Sequence, residues 1–452
     1  MAGEQQGELR RVIGFWGGTA LIIGVTIGSG IFRKPATLAQ LVPDPRVILG
    51  LWAGCGVVSI CGALAMAELA SLLPKTGGLY AYLRGAYGDA AAFVFGWIYL
   101  LIATPATIGA LATFLAELLA GVAGLPLASV PFVAAGAVAV LTCVNLAGTV
   151  SGTALGNVLT AIKVGALFVL AVVALFVVPG TFGHLRPVPG TSIDGPALGR
   201  AAASVIWAFD GWIAVSMVAG EVKNPEKIMT RIIVAGMLAI VVLYLGANIG
   251  YFHAMALPDM AVAPDGVPAA IMGAAFGPWG ATLIGAGVMC SVLGALHGSV
   301  LTRARVPFAL ARDRLTFDFL GRAKRSTPHA SLLIQGVVAI LLIAVLRDPA
   351  KPGRLFDKLT TYFVVVEWFA LLFAVGAVFV FRKKDPRPRP FSVPFYPWVP
   401  LIFIAGTTAG LAAIVWGEWM DGNRSPVWGL LIALAGFPVY WAWRKLSLTR
   451  TS

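Results

Sequence analysis

The chain has 452 residues, 59% of them hydrophobic and 12% charged, with a mean hydropathy of +0.88 and a formal charge of +13. A soluble domain carries about 25% charged residues, so this composition excludes one and points to an all-α, polytopic membrane protein. The positive charge would suit nucleic acid, but Lys and Arg stand between apolar runs, as in membrane proteins, and no nucleic-acid partner is expected.

Residues 1–11 are polar and lead straight into the first apolar run, so no cleavable signal sequence is expected. A helix needs about 20 apolar residues to cross a bilayer. By that measure the sequence predicts twelve spans, at 12–40, 46–71, 80–120, 128–147, 153–178, 197–219, 229–253, 271–302, 329–346, 356–381, 397–417 and 426–443. The third and eighth runs are long enough to tilt or to extend past the membrane. No long polar insertion divides the chain, so a single transmembrane domain over 1–452 is expected.

Basic residues orient the spans. With the N-terminus inside, the inner segments hold Arg10, Arg11, Lys75, Arg84, Lys223, Lys227 and Arg231. They also hold a dense set from Arg303 and Arg305 to Lys324 and Arg325, then Arg382 to Arg389, Arg444, Lys445 and Arg450. A smaller cluster, Arg347, Lys351, Arg354 and Lys358, stands against this bias. The rule that positive loops stay inside predicts both termini in the cytoplasm; the inner (plasma) membrane is the expected location.

Two apolar runs are interrupted by glycine, at Ile27-Gly28-Ser29-Gly30-Ile31-Phe32 and at Trp207-Ala208-Phe209-Asp210-Gly211-Trp212. Irregular backbone survives at membrane depth only where protein or a wet cavity satisfies its polar groups. Paired breaks in two chain halves mark a secondary transporter with its site near the midplane. Spans one to five (12–178) and six to ten (197–381) then form inverted repeats with broken first and sixth helices. Two extra helices, at 397–443, lie outside the repeat.

The residues at the breaks suit a zwitterion. Gly28 and Gly30 let the backbone leave helical geometry. The half-helix that starts at Gly30 and Ile31 offers N–H groups and a positive dipole end to a carboxylate, and Ser29 adds a hydroxyl. Carbonyls around Thr26 suit an ammonium. Gly211 frees the second break, Trp207 offers a flat surface to cover a ligand, and Asp210 is an intramembrane carboxylate of the kind usually tied to function. Lys163 lies too deep in span five to snorkel and needs carbonyl or carboxylate partners. It could hold the broken first helix. His297 and Glu367 are further intramembrane ionisable groups, and His297 could titrate near neutral pH. Glu117, near a span end, reads as interfacial. The four cysteines, Cys55, Cys61, Cys143 and Cys290, lie in apolar segments and read as small buried hydrophobes. There is no HExxH, P-loop or nucleophile elbow, so neither an enzyme with catalytic residues nor a metal or cofactor is expected.

Four motifs in order resemble the amino acid–polyamine–organocation superfamily, and within it the bacterial L-amino-acid transporter branch. They are Gly28 to Phe32, Leu73-Pro74-Lys75-Thr76-Gly77-Gly78, Trp207 to Trp212 with Gly220-Glu221-Val222-Lys223-Asn224-Pro225, and Arg389-Pro390 with Val393-Pro394-Phe395-Tyr396-Pro397. The resemblance implies a substrate carboxylate on Ser29 and Gly30. It implies the amine on carbonyls near Thr26, Trp207 and Asp210, with Trp207 as gate. It also implies that Lys163 replaces a sodium site. Ile213, His297 and Lys227-Ile228-Met229-Thr230 depart from the family pattern. The loop between spans three and four has no cysteine, so no disulfide-linked accessory subunit is expected.

The expected function is sodium-independent transport of neutral L-amino acids by alternating access, as an exchanger. A proton-coupled symporter using His297, Glu367 or Lys163 is the alternative, and an amino-acid-binding membrane sensor is the alternative of another class. A channel fits two broken helices around an occluded site poorly.

Overall fold

The computed structural model describes residues 9, 11–147, 149–263, 266–324, 327–348 and 352–448, with the backbone alone at 149–155, 352 and 446–448. Arg10, Arg325, Lys351 and Arg450, used above for orientation, lie outside the described residues. The elements in chain order are α1 (Phe15–Thr26), α2 (Gly30–Leu41), α3 (Pro45–Leu72), α4 (Leu79–Tyr87), α5 (Asp89–Ile98) and α6 (Thr104–Ala123). Next come α7 (Val130–Leu146), α8 (Thr149–Phe176), α9 (Gly195–Phe209), α10 (Ala214–Met217), α11 (Pro225–Ala254) and α12 (Leu257–Val262). The chain ends with α13 (Val267–Arg303), α14 (Arg305–Arg312), α15 (His329–Leu346), α16 (Leu355–Lys384), α17 (Trp398–Met420) and α18 (Ser425–Leu448).

Helices dominate because apolar surroundings leave the backbone no other partner. Eleven described helices or consecutive helix pairs are long and apolar enough to cross a membrane. The expected twelfth, 197–219, is the split element α9–α10, whose pieces have 15 and 4 residues. Asp194 caps the start of α9 by accepting from Ala197 N at 3.0 Å, with Pro196 in the first turn. The element packs on α2, α3, α16 and α17 and so sits inside the bundle.

Several predicted boundaries change. The single run expected at 80–120 divides at Gly88, whose φ of 89° suits glycine. Before it lies the short helix α4. After it, α5 and α6 join through a π turn at Tyr99–Ala103. The eighth run extends to Val267 and kinks at Gly277, next to Pro278. Arg303 and Arg305, read above as loop residues, are 2% and 0% exposed. They lie at the end of α13 and the start of α14 among acidic partners. Of the cysteines only Cys61 is buried, and Cys143 is exposed on the bundle surface. Glu117 is half-buried and pairs with Arg33.

The two breaks face each other at the centre. α1 ends at Thr26 and α2 starts at Gly30, while α9 ends at Phe209 and α10 starts at Ala214. A Cβ on Gly30 would lie 2.5 Å from Ala208 Cα, and one on Gly211 would lie 2.8 Å from Thr26 N. Only Gly211, at φ 114°, needs glycine for its conformation. Gly30 is required by the close approach of the two broken helices.

Candidate functional site

The ends of α1 and α9 leave carbonyls without helical partners, and three side chains take several of them. The Lys163 ammonium donates to Gly24 O at 2.7 Å, Ile27 O at 2.8 Å and Ser291 O at 2.7 Å. All three of its protons are used, and the side chain is fully buried. Ser291 Oγ donates to Ile27 O at 3.0 Å. Tyr244 OH lies 3.0 Å from both Thr26 O and Ala208 O, joining the two breaks. Gly28 N also donates to Thr26 O, at 2.9 Å. An ammonium approaching the Thr26 carbonyl would therefore compete with Tyr244.

A small cavity lies between the breaks, lined by Thr26, Gly28, Ser29, Gly30, Trp207 and Asp210, together with Val25, Thr107, Leu111 and Ser299. The structure thus gathers six of the predicted binding residues around one space. Ile31 and Gly211 are buried beside it but do not line it. Its volume of about 20 Å³ holds about one water, so the site is contracted. Trp207 closes one side. Its Nε1 donates to Ser29 Oγ at 3.1 Å, and its ring meets Phe356 at 6.0 Å and Phe363 at 5.2 Å edge to face. The Ser299 hydroxyl is buried with no hydrogen-bond partner among the described residues.

Beyond Trp207 opens a vestibule of about 480 Å³, lined by Lys34, Arg200, Asp357, Thr361 and Glu418 among others. Lys34 Nζ donates to Asp357 Oδ1 at 3.1 Å and lies 4.9 Å from the ring centre of Phe356. Phe356 therefore separates the charged vestibule from Trp207.

Behind Asp210 lies a buried ionic cluster. Arg303 Nη2 donates to Asp210 Oδ2 at 3.1 Å, and Arg303 Nη1 donates to Tyr99 OH at 2.8 Å. Tyr99 OH donates to Glu367 Oε1 at 3.1 Å, and Glu367 Oε2 stands 3.7 Å from Arg303 Nη1. Asp210 and Glu367, far apart in sequence, thus share one guanidinium. On the side that carries Ile13, Arg305 grips Glu221 with two bonds of 2.8 and 3.0 Å. Val12 N and Ile13 N both donate to Glu221 O at 2.9 Å. Glu68 binds Arg382 at 2.6 Å and Val393 N at 2.7 Å. His297 is not at the cavity. It is buried with Nδ1 3.1 Å from Asn145 Nδ2, beside Gly294 and Thr160.

A pair of broken helices around a small polar cleft, with a buried ammonium tying one break, is a transporter architecture. The sequence matches the amino acid permease family over residues 13–442. The chain belongs to that family. This permease is an amino-acid transporter and not an enzyme. Its similar relatives include the serine/threonine exchanger SteT of Bacillus subtilis (strain 168), 32% identical over 97% of this chain and 98% of the relative. Mouse b(0,+)-type amino acid transporter 1 is 29% identical over 88% of this chain and 81% of its own. The human cystine/glutamate transporter is 24% identical over 97% and 86%.

Sequence reasoning missed Arg303, Tyr99, Tyr244 and Ser299 as parts of this permease's centre. Tyr99, Tyr244 and Ser299 carry no signal apart from ordinary membrane-helix composition. Arg303 follows an apolar run with no turn-forming residue before it, but so does Arg305, and in the sequence both read as the first bases of a loop.

Proposed function

We propose that this permease exchanges neutral L-amino acids across the inner membrane by alternating access, without sodium. The observation that carries the reading is the Lys163 ammonium seated on two carbonyls of the break and one of α13. A fixed positive charge fills the kind of oxygen nest in which a transporter of this plan would bind a cation. The small polar lining, with the Ser299 hydroxyl unpartnered among the described residues, suits small side chains, and the name of the serine/threonine exchanger agrees with that. The substrate carboxylate would meet Ser29 and the first N–H groups of α2, and Trp207 would close over it. In this reading the chain forms two inverted repeats, about 12–178 and 197–381, with α9–α10 as the twelfth crossing, and the bias of the basic loops supports both termini in the cytoplasm. The vestibule beside Lys34 is then extracellular, and the structure is an occluded, outward-facing state. The loop between α6 and α7 lacks cysteine, so we propose no disulfide-linked accessory subunit.

Uptake of labelled L-serine into proteoliposomes tests this. Internal serine should stimulate it at least several-fold, while sodium and a pH gradient should leave it unchanged. A proton-coupled cycle is the rival, because Asp210 and Glu367 share one guanidinium. Stimulation by an inward proton gradient, without internal substrate, would favour it and overturn exchange.

Ser29→Val tests the carboxylate site. A hydrogen bond to a charged group contributes about 1.5–3 kcal/mol, so affinity for amino acids as a class should fall roughly 10- to 100-fold. Equal affinities in the purified variant and wild type would remove Ser29 from the site.

A further inference from the structure

The buried cluster behind Asp210 holds two carboxylates and one guanidinium. We propose that Arg303 sets the charge selectivity of this permease by cancelling part of the negative charge next to the site, so that a cationic side chain is refused. The inference rests on the substrate reading above and deepens it.

Asp210 lines the cavity between Thr26 and Trp207. Unpaired, its carboxylate would be a receptor for a second ammonium or a guanidinium. Its Oδ2 instead accepts from Arg303 at 3.1 Å. Arg303 is only 2% exposed and its guanidinium is held on every side. Tyr99 OH accepts from Nη1 at 2.8 Å, and the ring centres of Tyr99 and Phe363 lie 5.3 and 5.1 Å from the guanidinium carbon. Phe363 in turn packs against Trp207, with ring centres 5.2 Å apart. Arg303 thus stands one layer behind the wall formed by Asp210 and Trp207. It does not line the cavity, so it acts through Asp210 as a positioning residue.

Charge counting gives the consequence. With both carboxylates ionised the cluster carries one net negative charge, which matches the single ammonium of a zwitterion. Without Arg303 it carries one more. A proton on Glu367 changes the absolute count but not this difference. At separations of several ångströms inside a protein, one charge changes the affinity for an ion on the order of 10- to 100-fold. Arg303 therefore separates neutral from cationic substrates without touching either.

The test compares L-serine and L-lysine binding to purified full-length protein. Wild type should bind serine and bind lysine at least tenfold more weakly. Arg303→Gln should raise the lysine-to-serine preference at least tenfold, and adding Asp210→Asn should reverse that gain. Arg303→Lys keeps the charge and should keep the wild-type preference. A purely structural role would weaken both ligands together. An unchanged ratio in folded Arg303→Gln would overturn the proposal, as would wild type that already takes lysine as well as serine. If Arg303→Gln does not fold, Asp210→Asn with Arg303 retained decides. It should gain at least tenfold in aspartate or glutamate binding relative to serine, and no gain overturns the proposal. Wild type that binds no amino acid would sink the substrate reading itself, a result distinct from an unchanged ratio.

Discussion

Lys163→Ala is expected to abolish transport. The substitution removes the ammonium that donates to the carbonyls of Gly24 and Ser291 and one of two described donors to Ile27 O. A buried carbonyl left without a partner costs about 1–3 kcal/mol, and the loss falls on the end of α1, where the helix breaks. Lys163 is the tie between α8, that break and α13, so all three lose their common anchor. Substrate binding should weaken and uptake should fall to background. The thermal midpoint in detergent should fall, while the purified protein stays folded in the cold. Uptake near the wild-type rate would show that the tie has no part in the cycle. The same experiment on wild type compares sodium with choline. Equal rates are expected, and clear stimulation by sodium would return the site to a bound cation.

The residues that were legible in the sequence share one property: each violates its own neighbourhood. Lys163, Asp210 and Glu367 are single charges inside apolar runs, and an intramembrane charge is expensive enough to announce a role. The breaks are legible because glycine and serine or aspartate interrupt runs otherwise suited to a continuous span. What sequence could not give is the partner. Nothing local links Asp210 with Glu367, because their common ligand Arg303 comes from a third helix. Arg303 itself was hidden by its neighbours. It opens a series of bases that reads as a cytoplasmic loop, and only tertiary packing shows that its side chain turns back into the bundle. The glycines are a subtler case. Gly30 reads as a means of bending the chain, yet its role is fixed by Ala208 on another helix, 2.5 Å from where a Cβ would stand. The run expected at 80–120 failed for a related reason. Hydropathy averages over Gly88, while the turn there depends on one residue with positive φ.

Trp207→Ala is expected to impair transport out of proportion to its effect on the fold. The indole donates to Ser29 Oγ and meets two rings of α16, Phe356 and Phe363. These contacts span the boundary between the cavity and the vestibule. A large-to-small change of a buried tryptophan costs about 3–5 kcal/mol, so the thermal midpoint should fall measurably. The other helices of the bundle keep their packing, and the variant should still purify as a folded protein. Transport should fall further, because the cavity would open into the vestibule and bound substrate would lose its cover. Trp207→Phe separates the two contributions. It keeps an aromatic face toward α16 but loses the donor to Ser29 and the bulk of one ring, so its uptake should lie between wild type and alanine, with most of the stability restored. Uptake and melting measured on all three proteins decide the matter. If loss of uptake follows loss of folded protein in both variants, Trp207 is ordinary packing. If folded Trp207→Ala binds substrate but does not carry it across, the ring is the gate.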